Sequence, residues 1–280
     1  FGGTTDTYTA GDDIDGGGGT DALDLVISGT PGNTTTAGVT LDNVEQIFAR
    51  NVTGGDATFE GASVTGAEEL WNDRSLANSN VTFTNITSAA AIGVLDTGSN
   101  TTAEFTSSVL DGSDDTVSIF LDGASGGDVT TVDPSGSETA EALSVNSIGD
   151  DANEIGILDG GDAEALNITG AQDLEIGGID DDFVVVDASG SPDPDENGLT
   201  GALEADVSGA VDNNDATIIG GSGDDVFIVG SADDDDSIDG GDGDDTVIAS
   251  AIGGTTVTNV ENLSLDVAAG ATAVELDLEN

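Results

Sequence analysis

Aspartate is the residue through which this chain could do chemistry, and it is concentrated in one stretch. Residues 218–250, IIGGSGDDVFIVGSADDDDSIDGGDGDDTVIAS, hold ten aspartates and no lysine, arginine or histidine. Two like charges ~5 Å apart repel by about 1 kcal/mol in water, and by several times that near a protein surface. Aspartate is also a turn former and a short oxygen ligand for hard cations. The stretch therefore needs cations in order to fold.

Glycines precede these aspartates at a fixed spacing. Three segments match G-G-x-G-x-D-x-U-x, where U is a large apolar residue: GGGGTDALD (16–24), GGSGDDVFI (220–228) and GGDGDDTVI (240–248). This nonapeptide is the signature of the calcium-binding parallel β-roll, and here the chain resembles the RTX, or haemolysin-type, calcium-binding repeat family. The matched positions are Gly16, Gly17, Gly19 and Asp21, then Gly220, Gly221, Gly223 and Asp225, then Gly240, Gly241, Gly243 and Asp245.

The resemblance implies a role for each position of the nonapeptide. The glycines allow a turn whose main-chain carbonyls converge, the sixth-position aspartate adds a carboxylate, and the apolar eighth residue turns inward. Ca²⁺ takes roughly six to eight oxygens, and two stacked turns can supply them. In the family one nonapeptide makes half a coil, so Asp225 and Asp245 are expected along one edge of the roll and Asp236 along the opposite edge.

Four further aspartates stand in segments that keep only part of the pattern. They are Asp236 in GSADDDDSID, Asp182 in GGIDDDFVV (177–185), Asp115 in DGSDDTVSI (111–119) and Asp12 in AGDDIDGG (10–17). The segment around Asp12 is expected to supply the partner turn for Asp21. These aspartates join the predicted calcium ligands of several Ca²⁺ sites, and the remaining acids are interpreted as solvated surface.

The charge balance limits the partners. The 280 residues include 57 acidic and two basic side chains, for a net charge of −55. Such a charge opposes compaction unless cations bind or screen it, and it makes nucleic acid and anionic membranes poor partners. No apolar run approaches the ~18 residues needed to span a bilayer, so no membrane insertion is expected.

The missing residue types argue against an enzyme. Without histidine, Ser and Thr have no usual base to activate them, and the absence of cysteine excludes a thiolate metal site. Paired carboxylates could hydrolyse a glycoside, but one Trp and one Tyr make a poor sugar platform. We expect no catalytic activity.

The fold is predicted to be all-β, a parallel β-helix or β-roll solenoid with calcium-binding Gly/Asp-rich turns. High charge with few aromatics is typical of disorder, but apolar runs such as LDLVIS and VSIFL argue for a folded chain when cations are present. Helical periodicity is weak; NVEQIFA and AEELWND come nearest to it. Short β-rich runs recur instead, with no helix-length segment between them.

A seven-residue pattern recurs four times, as LDNVEQI (41–47), VTGAEEL (64–70), ITGAQDL (168–174) and VTNVENL (257–263). Asn or Gly at its third position tolerates a left-handed backbone, so a bend is expected there. The small apolar residue that follows should point inward, and the last apolar residue should open the next strand. Recurrence in fixed phase is what stacked coils need.

The sequence predicts five regions along the chain. These are RTX-like turns and first coils (1–30), an irregular β-solenoid (31–189), a loop with a continuing coil (190–215), the RTX β-roll (216–250) and a terminal β coil (251–280). The segment GSPDPDENG (190–198), with two of the four prolines, is expected to be an exposed loop.

One segment, ELWNDRS (69–75), holds the only tryptophan and one of the two arginines. Trp71 and Arg74 are interpreted either as a core or coil-capping aromatic with a local ion pair, or as a contact point for a neighbouring subunit.

The remaining composition, rich in Thr, Ala, Val and Gly, resembles the calcium-dependent surface-layer proteins of bacteria. That resemblance implies a secreted, extracellular or cell-surface protein that self-assembles into a lattice or filament, with itself as partner and a cell-surface polysaccharide as a second one. Neither end shows a capping helix, so both ends are expected to stack on further coils. Two alternatives stay open: an adhesin or stalk rod, and a calcium-folded export module of a larger protein secreted by a type I pathway.

Overall fold

The structure is a computed structural model that describes residues 8–29, 34–35, 38–133, 140–190, 198–213, 215–265 and 278–279. Its secondary structure consists of short strands and one helix, as follows: β1 (Asp13–Asp15), β2 (Ala22–Ile27), β3 (Thr34–Thr35), β4 (Thr40–Asp42), β5 (Gln46–Asn51), β6 (Ala57–Glu60), β7 (Val64–Thr65), β8 (Glu69–Asp73), β9 (Val81–Ile86), β10 (Ala91–Leu95), β11 (Thr101–Phe105), β12 (Thr116–Asp122), β13 (Ser125–Val132), β14 (Ala142–Ile148), β15 (Asn153–Asp159), β16 (Ala165–Gly170), β17 (Leu174–Ile179), β18 (Val185–Asp187), β19 (Leu203–Asp206), α1 (Ser208–Asn213), β20 (Thr217–Ile219), β21 (Val226–Ile228), β22 (Ser231–Ala232), β23 (Ser237–Asp239), β24 (Thr246–Ala249), β25 (Ala251–Ile252), β26 (Thr256–Thr258), β27 (Asn262–Leu265) and β28 (Leu278–Glu279).

Two long parallel sheets contain most of the strands. One sheet has 12 strands in the order β2-β5-β8-β10-β12-β14-β16-β18-β20-β23-β26-β28, and the other has 11 strands in the order β3-β6-β9-β11-β13-β15-β17-β19-β21-β24-β27. The chain alternates between the two sheets and advances by one strand per circuit, which makes a β-solenoid of about 10 turns. The predicted fold class is therefore confirmed.

The core lies between the two sheets. Along β11, for example, residues alternate between buried and half-buried positions, because successive side chains of a strand point to opposite faces of the sheet. The inward positions stack across coils: Phe59 and Phe83 are register partners, and their rings meet edge to face with centroids 5.9 Å apart. Burying each such side chain contributes about 1.5–3 kcal/mol, so every coil depends on its neighbours for its core.

The four bends occur where the seven-residue pattern predicts them. Its third residue has a positive φ in every copy: 53° at Asn43, 84° at Gly66, 126° at Gly170 and 50° at Asn259. The fourth residue is buried in three copies, but Ala171 is exposed, and there the expectation is wrong. The backbone amides of Ala171 and Gln172 both donate to the Ser147 carbonyl, at 3.1 and 3.4 Å. The two amides thus lie against the neighbouring coil.

Local helical patterns are not followed in this fold. The segments NVEQIFA and AEELWND supply β5 and β8, since register with the neighbouring strands buries Ile47 and Leu70. No pattern in the sequence predicted α1, the one helix among the described residues. It begins where the Asp206 carboxylate accepts from the amide of Ser208 at 3.1 Å.

Strand pairing continues across the predicted regional boundaries. β2 pairs with β5, β18 with β20, and β24 with β27. Residues 191–197 of the predicted proline loop, residues 1–7 and most of the terminal segment 266–280 lie outside the described residues. In the part of the chain that the structure describes, no helix has both the length and the apolarity to cross a membrane.

Candidate metal centre

The three nonapeptide turns share one geometry around their first glycine. The amides of Gly16, Gly220 and Gly240 donate to main-chain carbonyls of the next coil, at 2.9, 2.8 and 3.0 Å. A methyl group on any of the three would overlap the following carbonyl oxygen of that coil, which belongs to Asn43, Gly240 and Asn259 respectively. The turn needs glycine here because another main chain passes at this point.

The sixth-position carboxylate faces the same point as that carbonyl. Oδ2 of Asp225 lies 2.6 Å from the position that a Cβ of Gly220 would take, and Oδ2 of Asp245 lies 2.6 Å from the equivalent position at Gly240. In the N-terminal turn, the Cβ of Asp21 lies 2.8 Å from the equivalent position at Gly16. Carbonyl and carboxylate oxygens therefore converge in the two C-terminal turns, and they are the donor set that Ca²⁺ prefers.

The aspartates of the C-terminal turns are buried. Asp225, Asp236 and Asp245 are 0%, 2% and 0% exposed, which is rare for a carboxylate without a cationic partner. Asp225 and Asp245 directly precede β21 and β24 of the 11-stranded sheet, and Asp236 precedes β23 of the 12-stranded sheet. The predicted placement along two opposite edges is confirmed.

Backbone amides satisfy most of these carboxylate oxygens. Asp225 accepts from the amides of Leu203 and Gly221, each at 2.7 Å. Asp236 accepts from the amides of Ala216 and Asp233 at 2.9 and 2.8 Å. Such bonds to an ionised acceptor are stronger than neutral ones. Each carboxylate thus ties its own turn to the coil before it.

Asp21 and Asp245 differ from Asp225 in keeping an unused oxygen. Four buried side-chain atoms of the described residues have no hydrogen-bond partner, and two of them are Oδ2 of Asp21 and Oδ2 of Asp245. Leaving a buried acceptor unsatisfied costs about 1–3 kcal/mol, and more for a charged group. A cation bound there would remove that cost.

The turns that hold Asp21 and Asp245 each face a coil with the seven-residue bend pattern, which the sequence analysis treated as a separate feature. The coil that follows each of them carries the seven-residue bend pattern, whose asparagine, Asn43 or Asn259, supplies the facing carbonyl. Its glutamate accepts from the motif aspartate's own amide: Asp21 donates to Glu45 at 2.7 Å and Asp245 to Glu261 at 2.8 Å. Nonapeptide and bend pattern are thus two halves of one stacked pair.

Asp225 is followed by a second nonapeptide instead of a bend pattern. The amide of Asp225 donates to Oδ1 of Asp245, 20 residues further along the chain, at 2.7 Å. Sequence reasoning missed the glutamates of these pairs, although the fifth position of the bend pattern was already visible as Glu45 and Glu261. A third one, Glu141, accepts from the amide of Asp115 at 2.6 Å and stands outside that pattern.

The ionisation of these carboxyls reflects their burial. Desolvation raises the pKa of Asp225 to about 6, against the lowering effect of its two backbone amides and with a further contribution from the charge of Asp245. Burial also raises the pKa of Asp245, and the charge of Glu261 adds to the effect. A bound divalent cation would reverse this tendency by favouring the charged forms.

Near the N-terminus, Asp12 is not brought to the turn that holds Asp21. Oδ2 of Asp12 accepts from the amide and hydroxyl of Thr9, at 2.7 and 3.1 Å, and β1 separates Asp12 from Gly16. Asp15 lies at the turn instead: its Oδ1 accepts from Gly17 N at 3.0 Å and from Asn43 Nδ2 at 2.9 Å.

Asp115 and Asp182, the two predicted ligands in the central coils, have different surroundings. Asp115 accepts from the amide of Gly112 at 2.7 Å within its own loop, whereas the side chain of Asp182 is exposed. Its neighbour Asp180 faces the adjacent coil and accepts from the amide of Gly160 at 2.7 Å. Burial, together with the nearby charge of Asp159, raises the pKa of Asp180 to about 6. Asp180 occupies the third-glycine position of the pattern, which is why sequence reasoning passed over it.

Asp233, Asp234 and Asp235 form an exposed acidic cluster whose carboxylate oxygens lie within 4.8 Å of one another. Repulsion from Asp215, and then from Asp234, raises the pKa of Asp235. Exposed acids of this kind are common without a metal, so the cluster does not by itself identify a site.

Comparison of the chain with protein-family profiles, with characterised proteins and with solved structures finds no match. The resemblance to the RTX repeat family therefore rests on the three nonapeptides of the sequence.

Proposed function

We propose that this chain is a calcium-binding, self-assembling extracellular structural protein, a surface-layer or filament subunit of the RTX-repeat type, whose folding and assembly depend on Ca²⁺. The observation that carries the proposal is the buried, unpartnered Oδ2 of Asp245, which faces the same point at Gly240 as the main-chain carbonyl of Asn259. A fully buried anionic oxygen with no donor is stable only beside a cation or when protonated.

Two turns fit a hard cation best on the described geometry. In the C-terminal one, the Asp245 carboxylate and the Asn259 carbonyl face the same point at Gly240. In the N-terminal one, Asp21 and the Asn43 carbonyl occupy the matching positions at Gly16. Both donor types are oxygen, and the chain has no histidine or cysteine to supply imidazole or thiolate ligands, which favours Ca²⁺ over transition metals.

Metal binding would be linked to folding. A net charge of −55 opposes compaction, and each bound Ca²⁺ removes repulsion while it ties two coils together. Extracellular calcium modules bind with constants of about 10⁻⁴–10⁻³ M, and a hundredfold excess over such a constant stabilises the fold by about 2.7 kcal/mol per site. Several sites are comparable with the whole stability of an ordinary domain. That dependence suits a protein which folds outside the cell.

The test compares Asp245→Asn with Asp151→Asn, since both remove one negative charge and Asp151 is exposed and stands outside the nonapeptides. Chelation should reduce the β signal in the circular dichroism spectrum of the wild type, and millimolar Ca²⁺ should restore it better than Mg²⁺, which demands tighter octahedral geometry. The calcium midpoint should rise about tenfold in Asp245→Asn because a ligand charge is lost, and stay unchanged in Asp151→Asn.

Equal midpoints in the two variants would mean that diffuse screening holds the fold, and a wild-type spectrum unchanged by chelator would overturn the calcium proposal. Analytical ultracentrifugation of the calcium-loaded chain tests assembly separately. A stable monomeric rod at high protein concentration would favour the adhesin or stalk alternative.

A further inference from the structure

The outer face of the 12-stranded sheet carries three parallel aromatic rings, Phe48, Trp71 and Phe120, here called the aromatic stack. The centroids of Phe48 and Trp71 are 5.9 Å apart at 15°, and those of Trp71 and Phe120 are 6.1 Å apart at 12°. Phe48, Trp71, Gly93 and Phe120 follow one another in register on β5, β8, β10 and β12.

Gly93 makes the stack possible. The ring of Trp71 lies over it, in space that any Cβ at this position would occupy. Trp71 is only 8% exposed, is stacked on both phenyl rings, and donates from Nε1 to Glu69 Oε2 at 2.8 Å. Because its ring is covered by its neighbours, the stack offers little flat aromatic surface to a sugar. It is a rigid apolar platform set in the sheet.

Both basic residues of the chain lie beside this platform. Arg50 is on β5, two residues beyond Phe48, and its Nε donates to the Arg74 carbonyl at 3.1 Å. Arg74 forms a two-pronged ion pair with Asp73, at 2.6 and 3.0 Å. Within the described ranges that ion pair is the only one, so the exposed guanidinium of Arg50 is not paired with a carboxylate there.

Two exposed apolar side chains lie beside Arg50. In the described part of the chain three large apolar side chains are markedly exposed: Val26 at 53%, Leu76 at 48% and Ile157 at 53%. Val26 is the register partner of Arg50, and the amide of Leu76 donates to the Asn51 carbonyl next to Arg50, at 3.0 Å. The arginine patch is defined as Val26, Phe48, Arg50, Trp71, Arg74 and Leu76.

We propose that the arginine patch is the docking surface for an acidic turn edge of a second copy of this chain. Arginine is enriched at protein–protein interfaces and at their energetic hot spots, and Val26 and Leu76 add exposed apolar area beside it. Arg74 is paired with Asp73 and is also influenced by the charges of Asp96 and Asp24. Charge complementarity identifies the occupant, because Arg50 is the cation left to meet an acidic edge on a chain with a net charge of −55. The proposal rests on the self-assembly stated under the proposed function, and it adds the place where assembly occurs.

The patch also specifies the kind of assembly. The proposed contact joins two different surfaces, the arginine patch of one copy and an acidic turn edge of the next. Contacts of this type form rings or open arrays instead of two-fold dimers. The patch lies on the outer face of the 12-stranded sheet, so copies add side by side. A lateral sheet is expected in preference to an end-to-end filament.

The test compares Arg50→Gln with Asn167→Asp. Both make the net charge more negative by one, and Asn167 is exposed on β16 of the same sheet, away from the patch. Assembly is followed by sedimentation and light scattering in saturating Ca²⁺, and folding is followed independently by calcium-dependent circular dichroism. The emission of the single tryptophan reports directly on the patch.

Arg50→Gln should raise the critical concentration for assembly about tenfold, as loss of an interface arginine does, whereas Asn167→Asp should assemble like the wild type. The two variants should fold at the same calcium midpoint, and their difference in assembly should shrink in ~1 M NaCl, where the Debye length is about 3 Å. Wild-type assembly should also shift the Trp71 emission.

Equal critical concentrations in the two variants overturn the patch as the docking surface while leaving calcium folding intact. A wild type that folds in calcium but stays monomeric overturns the second copy as occupant. So does wild-type monomer that binds a polyuronate through Arg50, because the patch would then recognise an anionic glycan. Loss of calcium-dependent folding itself would instead contradict the proposed function.

Discussion

The turns of the C-terminal coils and those of the central coils use different side chains to bond the main-chain groups of adjacent coils. Around Asp225 and Asp245 the inward polar groups are carboxylates, which can only accept hydrogen bonds. In the central coils the inward groups are amides: Nδ2 of Asn51 donates to the carbonyls of Gly55 and Asn80 at 2.7 and 2.8 Å, and its Oδ1 accepts from Thr53 N at 3.0 Å.

An amide both donates and accepts, so it satisfies main-chain carbonyls and amides without any charge. Asn153 does the same further along: Nδ2 donates to the Ile148 carbonyl at 3.0 Å, and Oδ1 accepts from Ala124 N at 3.0 Å. A carboxylate cannot donate to the converging carbonyls, whereas a cation can bind both kinds of oxygen. On the proposed function, one solenoid therefore contains coils that bind metal beside coils that do not need it.

The largest expected effect of that difference is regional loss of structure on chelation. Amides of residues 217–249 should exchange hydrogen about 100-fold faster in chelator, in line with ~2.7 kcal/mol lost per site, while those of residues 81–132 keep their protection. Hydrogen exchange read by mass spectrometry measures both regions in one sample. Uniform loss along the chain would show that the two kinds of turn depend equally on calcium.

Removing one of the buried amide side chains should have a smaller effect, and calcium should not change that effect. Asn51→Ala removes one of the two donors to each of the Gly55 and Asn80 carbonyls. It also removes the acceptor of the buried Thr53 amide, and should lower the free energy of unfolding by about 1–3 kcal/mol. The loss should be the same at low and saturating Ca²⁺, as measured by urea midpoints under both conditions. Asn167→Ala, at an exposed position, is the matched control and should change neither midpoint. A loss that grows as calcium is removed would break the distinction.

The smallest effect concerns pH. Because the folded-state pKa values of Asp180 and Asp225 are raised to about 6, the folded state binds more protons than the unfolded state between the ordinary value of 3.8 and about 6. Their protonation therefore stabilises the fold fully below 3.8, and that contribution is lost as pH rises through 6.

In chelator, acidification from pH 7.5 to 5 should accordingly raise the melting temperature by roughly 2–8 °C. In saturating Ca²⁺ the sign should reverse, because protons then compete with the metal for its carboxylate ligands. Thermal melts at the two pH values, with and without calcium, provide the check. The same sign of shift in both conditions would argue against carboxylates that bind a metal.

Local sequence determined the strands, the bends and the donor chemistry. Alternating apolar residues predicted inward faces, as at Phe227 and Val247, both fully buried. Asn43 and Asn259 predicted left-handed bends because few other residues adopt positive φ cheaply. The nonapeptide placed carboxylates and glycines in one turn, and spacing alone separated Asp236 from Asp225 and Asp245.

Only the tertiary structure decided which turn faces which. Asp225 meets a second nonapeptide 20 residues on, whereas Asp245 meets a bend pattern 16 residues on. Oδ2 of Asp225 accepts from Gly221 N of its own turn, but the matching amide of Gly241 donates to Asp239, and Oδ2 of Asp245 is left unpartnered. Asp12 stands in a segment that keeps part of the nonapeptide pattern, but β1 separates it from the turn at Gly16, and its carboxylate accepts from Thr9. The physical reason is that coil length varies with insertions along the chain. A residue's partner across the stack therefore depends on the accumulated path of the chain and not on the motif in which the residue stands.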